Sequence, residues 1–415
     1  MADVARPAPA RGRETITVLL LGLSFGFAFY DRQMMTYVGP FVVPELRLSN
    51  FQVGALGSGL SLTWALGAYF IGRWSDALGR RKPFLLGALV IFSVCSILSG
   101  LAPGFWPLFA SRVLMGLVEG PFLPICLAIV TAASPVKRRG LNSGVVQNVF
   151  GSVLGTAVAP LASVAIALSF GWRASFYTAA LPGLVLALIV WRYVDEPPRL
   201  APEEPVGAAT LGIGAMLAHR NVALCSAIGC MLVGVGVLVA IFLPLYLVSV
   251  RHLPPATMAV VMALLGLCPP VGGVLVPLLS DRIGRRTPMI LSAAMMVITP
   301  VVVLLVPGPL PLVVALLLFG WIGLGCFPLF MGIVPAETLN YRSAAAAMGL
   351  VVGIGELTGG VLAPLVGGWA ADRFGLGAPL AIAAVAAGVG ALLATALIES
   401  NPRVRRADPE PAYAA

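Results

Sequence analysis

The sequence predicts an all-α membrane protein, with twelve transmembrane helices in two six-helix, pseudo-symmetric halves. Composition is the first observation behind this. Of 415 residues, 59% are hydrophobic and only 10% charged, and the mean hydropathy is +0.98. A soluble domain carries about 25% charged residues, and a water-soluble core of this size could not hide so much apolar surface. The second is a series of twelve apolar stretches, each meeting the requirement of about 20 residues for a spanning helix. The third is a phrase that occurs twice. Asp76-Ala77-Leu78-Gly79-Arg80-Arg81-Lys82-Pro83 returns as Asp281-Arg282-Ile283-Gly284-Arg285-Arg286-Thr287-Pro288, each copy preceded by a serine, Ser75 or Ser280.

Charges and Gly/Pro breaks place the stretches in order. In the first half they cover roughly 15–40, 50–74, 82–102, 106–134, 140–169 and 173–194. The first is too long for a cleavable signal and carries Asp31 and Arg32 inside it. Asp195-Glu196-Pro197-Pro198 stops the sixth. In the second half they cover 221–248, 256–279, 288–307, 310–336, 343–371 and 377–398. The expected organisation is a tail 1–14, a half 15–195, a cytoplasmic linker 196–220, a half 221–399 and a tail 400–415. Thr210 to His219 is expected to form a short surface helix, and the polar tail after Glu399 to be disordered.

A second repeat supports the first. Gly151-Ser152-Val153-Leu154-Gly155 is echoed by Gly355-Glu356-Leu357-Thr358-Gly359, Ala159-Pro160 by Ala363-Pro364, and Phe170-Gly171 by Phe374-Gly375. Gly151 to Gly355 is a step of 204 residues, and Asp76 to Asp281 one of 205. Two separate repeats at nearly one offset make the halves parallel copies, related by an axis along the membrane normal. Small residues at four-residue spacing let such helices approach closely.

Lys and Arg predict the orientation. With the N-terminus inside, 20 of the 26 fall on the cytoplasmic side. They are Arg6, Arg11, Arg13, Arg73, Arg80, Arg81, Lys82, Lys137, Arg138, Arg139, Arg192, Arg199, Arg220, Arg282, Arg285, Arg286, Arg342, Arg403, Arg405 and Arg406. Arg47, Arg173, Arg251 and Arg373 fall on the other side, while Arg32 and Arg112 lie inside spans. This bias puts both termini in the cytoplasm, and the expected location is a bacterial inner membrane. The net charge of +9 thus reads as topology rather than nucleic-acid binding. The six cysteines all lie in apolar segments without metal spacing and read as buried thiols.

Charged groups at membrane depth are expensive, and their default reading is functional. Five are expected there: Asp31, Arg32, Arg112, Glu119 and Glu356. Arg112 and Glu119 are seven apart and share one helix face, whereas the adjacent Asp31 and Arg32 point in different directions. The four from the first and fourth helices are expected to cluster and face a central cavity; a static salt-bridge cluster is the alternative. Burial favours a neutral acid and a neighbouring arginine favours its anion. An arriving anion competes for the arginine, so anion and proton binding reinforce each other. Glu356, whose repeat partner is Ser152, is a candidate substrate contact, third proton site or neutral hydrogen-bonded acid. Gln147 and Asn148 are candidate substrate contacts. Tyr30, Tyr37, Trp64, Tyr69, Tyr246 and Trp321 are candidate cavity aromatics, although aromatics also mark lipid interfaces.

The loop phrase resembles the one that joins the second and third helices, and its counterpart in the other half, of major facilitator superfamily transporters. That resemblance implies the major facilitator fold and a conformational latch of Gly72, Asp76, Gly79, Arg80, Arg81, Asp281, Gly284, Arg285 and Arg286, which stabilises the outward-facing state. A carboxylate at such a position can accept N–H groups at a neighbouring helix N-terminus, and the arginines can bridge to acids such as Glu337; the alternative is plain positive-inside anchoring. Tyr30-Asp31-Arg32 with Arg112 and Glu119 resembles the anion:cation symporter family, which carries sugar acids, aromatic acids and sialic acid. The resemblance implies a small organic anion, with Arg32 and Arg112 binding its carboxylate or organising the site and Asp31 and Glu119 as the proton-coupling pair; Tyr30 is a further candidate substrate contact. Spinster-type lysolipid carriers show a similar pattern.

Other classes find little support. Pro160 follows Gly155 by five residues, unlike the fifth-helix phrase of drug:proton antiporters. There is no phosphate-binding loop for ATP and no nucleophile–base pair, and His219 and His252 read as surface residues. The expectation is a monomeric transporter embedded in lipid, not an enzyme, with no cofactor, metal or nucleic acid. Its expected activity is proton-coupled symport by alternating access. A drug/proton antiporter, a lysolipid carrier and a membrane enzyme are the alternatives.

Overall fold

A computed structural model describes residues 11–197, 211–339, 341–401 and 404. Most of the expected linker and tails lies outside the described residues, including Arg6, Arg199, Arg403, Arg405 and Arg406. Among the described residues twelve helices are long and apolar enough to cross a membrane. They are α1 Gly12–Glu45, α2 Asn50–Leu78, α3 Lys82–Leu101, α4 Phe105–Ala133, α5 Val136–Phe170 and α6 Trp172–Tyr193. The remaining six are α7 Arg220–Ser249, α8 Pro255–Ile283, α9 Arg286–Leu305, α10 Leu310–Thr338, α11 Ser343–Phe374 and α12 Gly377–Thr395. The short helix expected before α7 covers Ile213–Ala218.

Two compact units form. One takes in the chain up to Leu48, the stretch from Gly59 through α6, and Pro254–Gly266. The other takes in Ser49–Ser58, α7 as far as Leu253, and the described chain from Leu267 onward. Each is thus one half of the chain with a few turns exchanged from α2 or α8.

In the first unit the packing that positions α1 is reciprocal. Phe150 and Leu154 of α5 lie over Gly22 and Gly26, where an added Cβ would come within 2.3 and 2.5 Å of their side chains. Phe25 and Phe29 of α1 lie in turn over Gly151 and Gly155, at 2.7 and 2.2 Å from an added Cβ. The core behind this contact draws Leu21, Leu85, Leu89, Phe92, Met115, Phe122 and Val190 from α1, α3, α4 and α6. In the second unit α7 and α11 repeat the close approach at Gly234 and Gly359.

Pro and Gly interrupt the long helices where the repeats lie. α5 winds as a π-helix over Val145–Val158 and α11 over Glu356–Leu362. Such windings concentrate at functional sites. In α4 the regular helix stops at Glu119 and resumes at Phe122, across Gly120 and Pro121. Pro121 has no N–H for the Leu117 carbonyl, and α2 approaches that carbonyl through Gly67, whose added Cβ would lie 1.9 Å away.

Candidate functional site: a buried cluster in the first unit

α1, α3, α4 and α6 meet around three charged side chains. Asp31 is 0% exposed, Arg112 1% and Glu119 5%. Asp31 and Arg32 do point apart. Asp31 turns into the unit, whereas Arg32 is half-buried with its guanidinium 5.2 Å from the centre of the Trp64 ring. Trp64 is fixed from behind, because an added Cβ on Gly120 would lie 2.1 Å from its carbonyl oxygen.

The partners of Arg112 are all neutral. Nη2 donates to Ser99 Oγ at 3.0 Å, and Nη1 donates to Met115 Sδ at 3.3 Å and to the Asp31 carbonyl at 3.5 Å. The guanidinium lies 5.1 Å from the centre of the Phe176 ring. Among the described residues no nitrogen of Arg112 reaches either carboxylate within the 4.0 Å of an ion pair. Asp31 Oδ1 instead accepts from Ser96 Oγ at 2.9 Å. Asp31 Oδ2, Glu119 Oε1 and Arg112 Nε are buried without a hydrogen-bond partner among the described residues. Among the described residues these three side chains thus form no ion pair with one another.

Of the other candidates, Tyr30 is the one that adjoins the trio, next to Asp31. Tyr30 is buried against Phe27, with ring centroids 6.3 Å apart. Gln147 and Asn148 are exposed on the π-helical stretch of α5 and share no hydrogen bond with the cluster. Glu356 is half-buried at the start of the π-helical stretch of α11, in the second unit. Tyr37, Tyr246 and Trp321 are buried, and Tyr69 is 58% exposed. Ser96, Ser99 and Phe176 are absent from the sequence reading. The signal for two of them was a polar stripe, Ser93, Ser96 and Ser99, at three-residue spacing on one face of α3.

The loop phrases are built alike up to a point. Gly79 and Gly284 adopt φ of +60° and +95° just past α2 and α8, a left-handed conformation that glycine takes without strain. Arg285 is the more enclosed arginine. It donates to Glu337 Oε1 at 2.7 Å, to Asp281 Oδ1 at 2.5 Å and to Ser280 Oγ at 2.7 Å. The Glu337 bond holds its guanidinium protonated above the usual range; burial opposes this and the Asp281 bond adds to it. Arg81 lies 3.5 Å from the mostly exposed Asp76. The expected capping by Asp76 and Asp281 needs correction, because the helix starts beside them are capped by other acids. Glu196 accepts from the N–H groups of Arg81 and Lys82, and Glu399 from those of Arg285 and Arg286. Glu196 and Glu399 are themselves a repeat pair that the sequence reading passed over. Gly72 lies within α2, Arg80 on the loop that follows it, and Arg286 at the start of α9, where it donates to the Thr395 carbonyl at 2.5 Å.

Comparison with known proteins supplies the remaining findings. Over 336 residues the chain is 26% identical to a probable 4-methylmuconolactone transporter of Cupriavidus pinatubonensis, covering 80% of this chain and 78% of that one. It is 30% identical over 182 residues to a hexuronate transporter of Bacillus subtilis, covering 44% and 42% of the two chains. It is 31% identical over 185 residues to a gentisate transporter of Corynebacterium glutamicum, covering 43% and 41%. The match to the last two thus spans about two fifths of their own length. Among solved structures, a bacterial homolog of the human lysosomal transporter Spinster superposes with a TM-score of 0.79 at 20% identity, covering 93% of this chain and 98% of that one. The sequence matches the model of the Major Facilitator Superfamily over residues 21–359 and again over 271–413, and the chain belongs to that superfamily of transporters.

Proposed function

We propose that this transporter carries a small organic acid together with a proton, by alternating access, with both termini in the cytoplasm of a bacterial cell. The observation that carries the reading is the buried trio of Asp31, Arg112 and Glu119. With both acids ionised, Asp31, Glu119 and Arg112 carry one excess negative charge, and Arg32, which acts on Glu119, is the cation that offsets it. A net charge buried at this depth is costly, so the trio takes up a proton when an arriving anion neutralises Arg32 and releases it when the anion leaves. The proton belongs to the coupled pair rather than to either acid.

Arg32 is the residue for the anion itself. It is half-buried, lies over an aromatic ring and presents the planar fork that grips a carboxylate at two points. Arg112, enclosed by neutral partners, acts as the internal counter-charge. The names of the relatives point the same way, since hexuronate and gentisate are carboxylates. The loop phrases and their capping acids Glu196 and Glu399 serve as the cytoplasmic latch.

The test is uptake into proteoliposomes. Gentisate and hexuronate are offered with and without an inward proton gradient. Accumulation that collapses with a protonophore is the expected result. Uptake indifferent to the gradient would remove the proton from the mechanism. Movement of lysolipid unaffected by small carboxylates would replace the substrate class.

A further inference from the structure

Two acceptors compete for one proton at Ser96. Its Oγ lies 2.9 Å from Asp31 Oδ1 and 2.9 Å from the Phe176 carbonyl oxygen. A serine hydroxyl has one O–H to donate and lone pairs that accept, so it serves only one of these acceptors at a time. Both Ser96 and Asp31 are 0% exposed. An ionised aspartate only accepts, and the Ser96 proton must then point to Asp31. A protonated aspartate carries its own donor. The same Oδ1–Oγ contact then runs the other way, and the Ser96 proton is freed for the Phe176 carbonyl.

We propose that Ser96 is the hydrogen-bond partner of Asp31 in both protonation states, and that its rotation hands the state of that acid to α6. The inference rests on reading Asp31 as a group that gains and loses a proton. It makes Ser96 a positioning residue. α6 registers the change through one residue, because the Phe176 ring also lies against the Arg112 guanidinium. The charged and titratable groups that act on Asp31 are Tyr30 on α1, Arg112 and Glu119 on α4, and Cys95 on α3, while Arg32, pointing away, acts on Glu119. α5 meets α1 through Phe150 and Leu154, and α6 brings the Phe176 ring and carbonyl. Ser96 is the only hydroxyl bonded to the Asp31 carboxylate among the described residues. Ser93, one turn away on α3, donates only to the Leu89 carbonyl of its own helix.

Infrared difference spectroscopy of the purified protein over a pH titration reads this directly. A C=O stretch of a protonated acid that is present in the wild type and lost in Asp31→Asn belongs to Asp31. Hydrogen bonds to charged groups are stronger than neutral ones. Ser96→Ala therefore moves the midpoint of that band to higher pH by about one unit, a tenfold change equivalent to about 1.4 kcal/mol. It also shifts the frequency of the band, because the protonated acid has lost its acceptor. Ser96→Thr restores both, and Ser93→Ala leaves both at their wild-type values. A wild-type midpoint and frequency in Ser96→Ala overturns the proposal, and so does the absence of any Asp31 band in the wild type. Proton-driven uptake measured on the same variants is expected to move its pH midpoint with the band. If wild-type uptake ignores the gradient while the infrared shifts appear, the symport reading fails and the assignment of Ser96 holds.

Discussion

At the scale of single residues, the buried trio separates work that looks uniform in a list of charges. Arg32 and Arg112 are both arginines inside spans, yet one lies half-exposed over Trp64 and the other is enclosed by Ser99, Met115 and Phe176. Lysine keeps the charge of either and loses the planar fork. Arg32→Lys is expected to raise the KM for the carboxylate about tenfold while the protein folds normally. Arg112→Lys is expected to lower the thermal stability of the purified protein, because an ammonium cannot reach Ser99 and lie flat on Phe176 together. Equilibrium binding and thermal unfolding of the two variants separate these outcomes, and a reversed pattern would exchange the roles. Glu119→Gln tests coupling. An amide resembles the protonated acid in size and hydrogen bonding but never releases a proton. Counterflow exchange of the anion is expected to survive in this variant, while accumulation against a gradient falls to background. Accumulation at the wild-type level would exclude Glu119 as a coupling group.

At the scale of elements, the helix ends are where the sequence could be read and where it was under-read. All twelve spans lie within a few residues of the apolar stretches, because hydropathy reports the lipid-facing surface without needing any contact. The charged residues of the cluster were legible for the same reason, being conspicuous in apolar surroundings. Their neutral partners were not. A serine inside a helix usually bonds its own preceding turn, as Ser93 does, and only packing shows that Ser96 reaches another helix. The start of α2 shows what packing adds. Ser49 and Gln52 cap each other's N–H groups at 3.1 and 3.0 Å, a reciprocal box readable from their spacing. Asp372, from the end of α11, accepts the next two N–H groups, those of Asn50 and Phe51, at 2.8 and 2.9 Å. Asp372 and Gly375 repeat the spacing of Asp76 and Gly79, a third copy that sequence reading left aside. An ionic cap of this kind is worth roughly 1 kcal/mol. Asp372→Ala is therefore expected to lower the unfolding midpoint by a few degrees, and Asp372→Asn by less, because the amide oxygen still accepts. Equal midpoints for wild type and Asp372→Ala would show that the cap adds nothing to the fold.

At the scale of the whole molecule, the remaining question is which way the chain lies in the membrane. Twelve spans place the two ends of the described chain on one side of the membrane, and the Lys/Arg bias makes the cytoplasm the expected side. The distribution of cysteine makes this testable in cells. All six thiols lie within spans; five are buried and Cys230 is half-buried. The native protein should therefore react little with a membrane-impermeant maleimide, so a single added cysteine reports its own loop. Pro103, between α3 and α4, and Lys137, at the start of α5, are both exposed and lie at opposite ends of α4. Among the described residues neither makes a side-chain hydrogen bond or ion pair that its replacement would remove. Pro103→Cys is expected to label in intact cells. Lys137→Cys is expected to label only after permeabilisation, because it belongs to the basic cluster Lys137, Arg138 and Arg139 on the expected cytoplasmic side. The pair is self-controlling, since one membrane-spanning helix separates the two positions. Labelling of Lys137→Cys in intact cells, with Pro103→Cys protected, would invert the topology. It would also move the loop phrases and their capping acids to the outer face, where they could not act as a cytoplasmic latch.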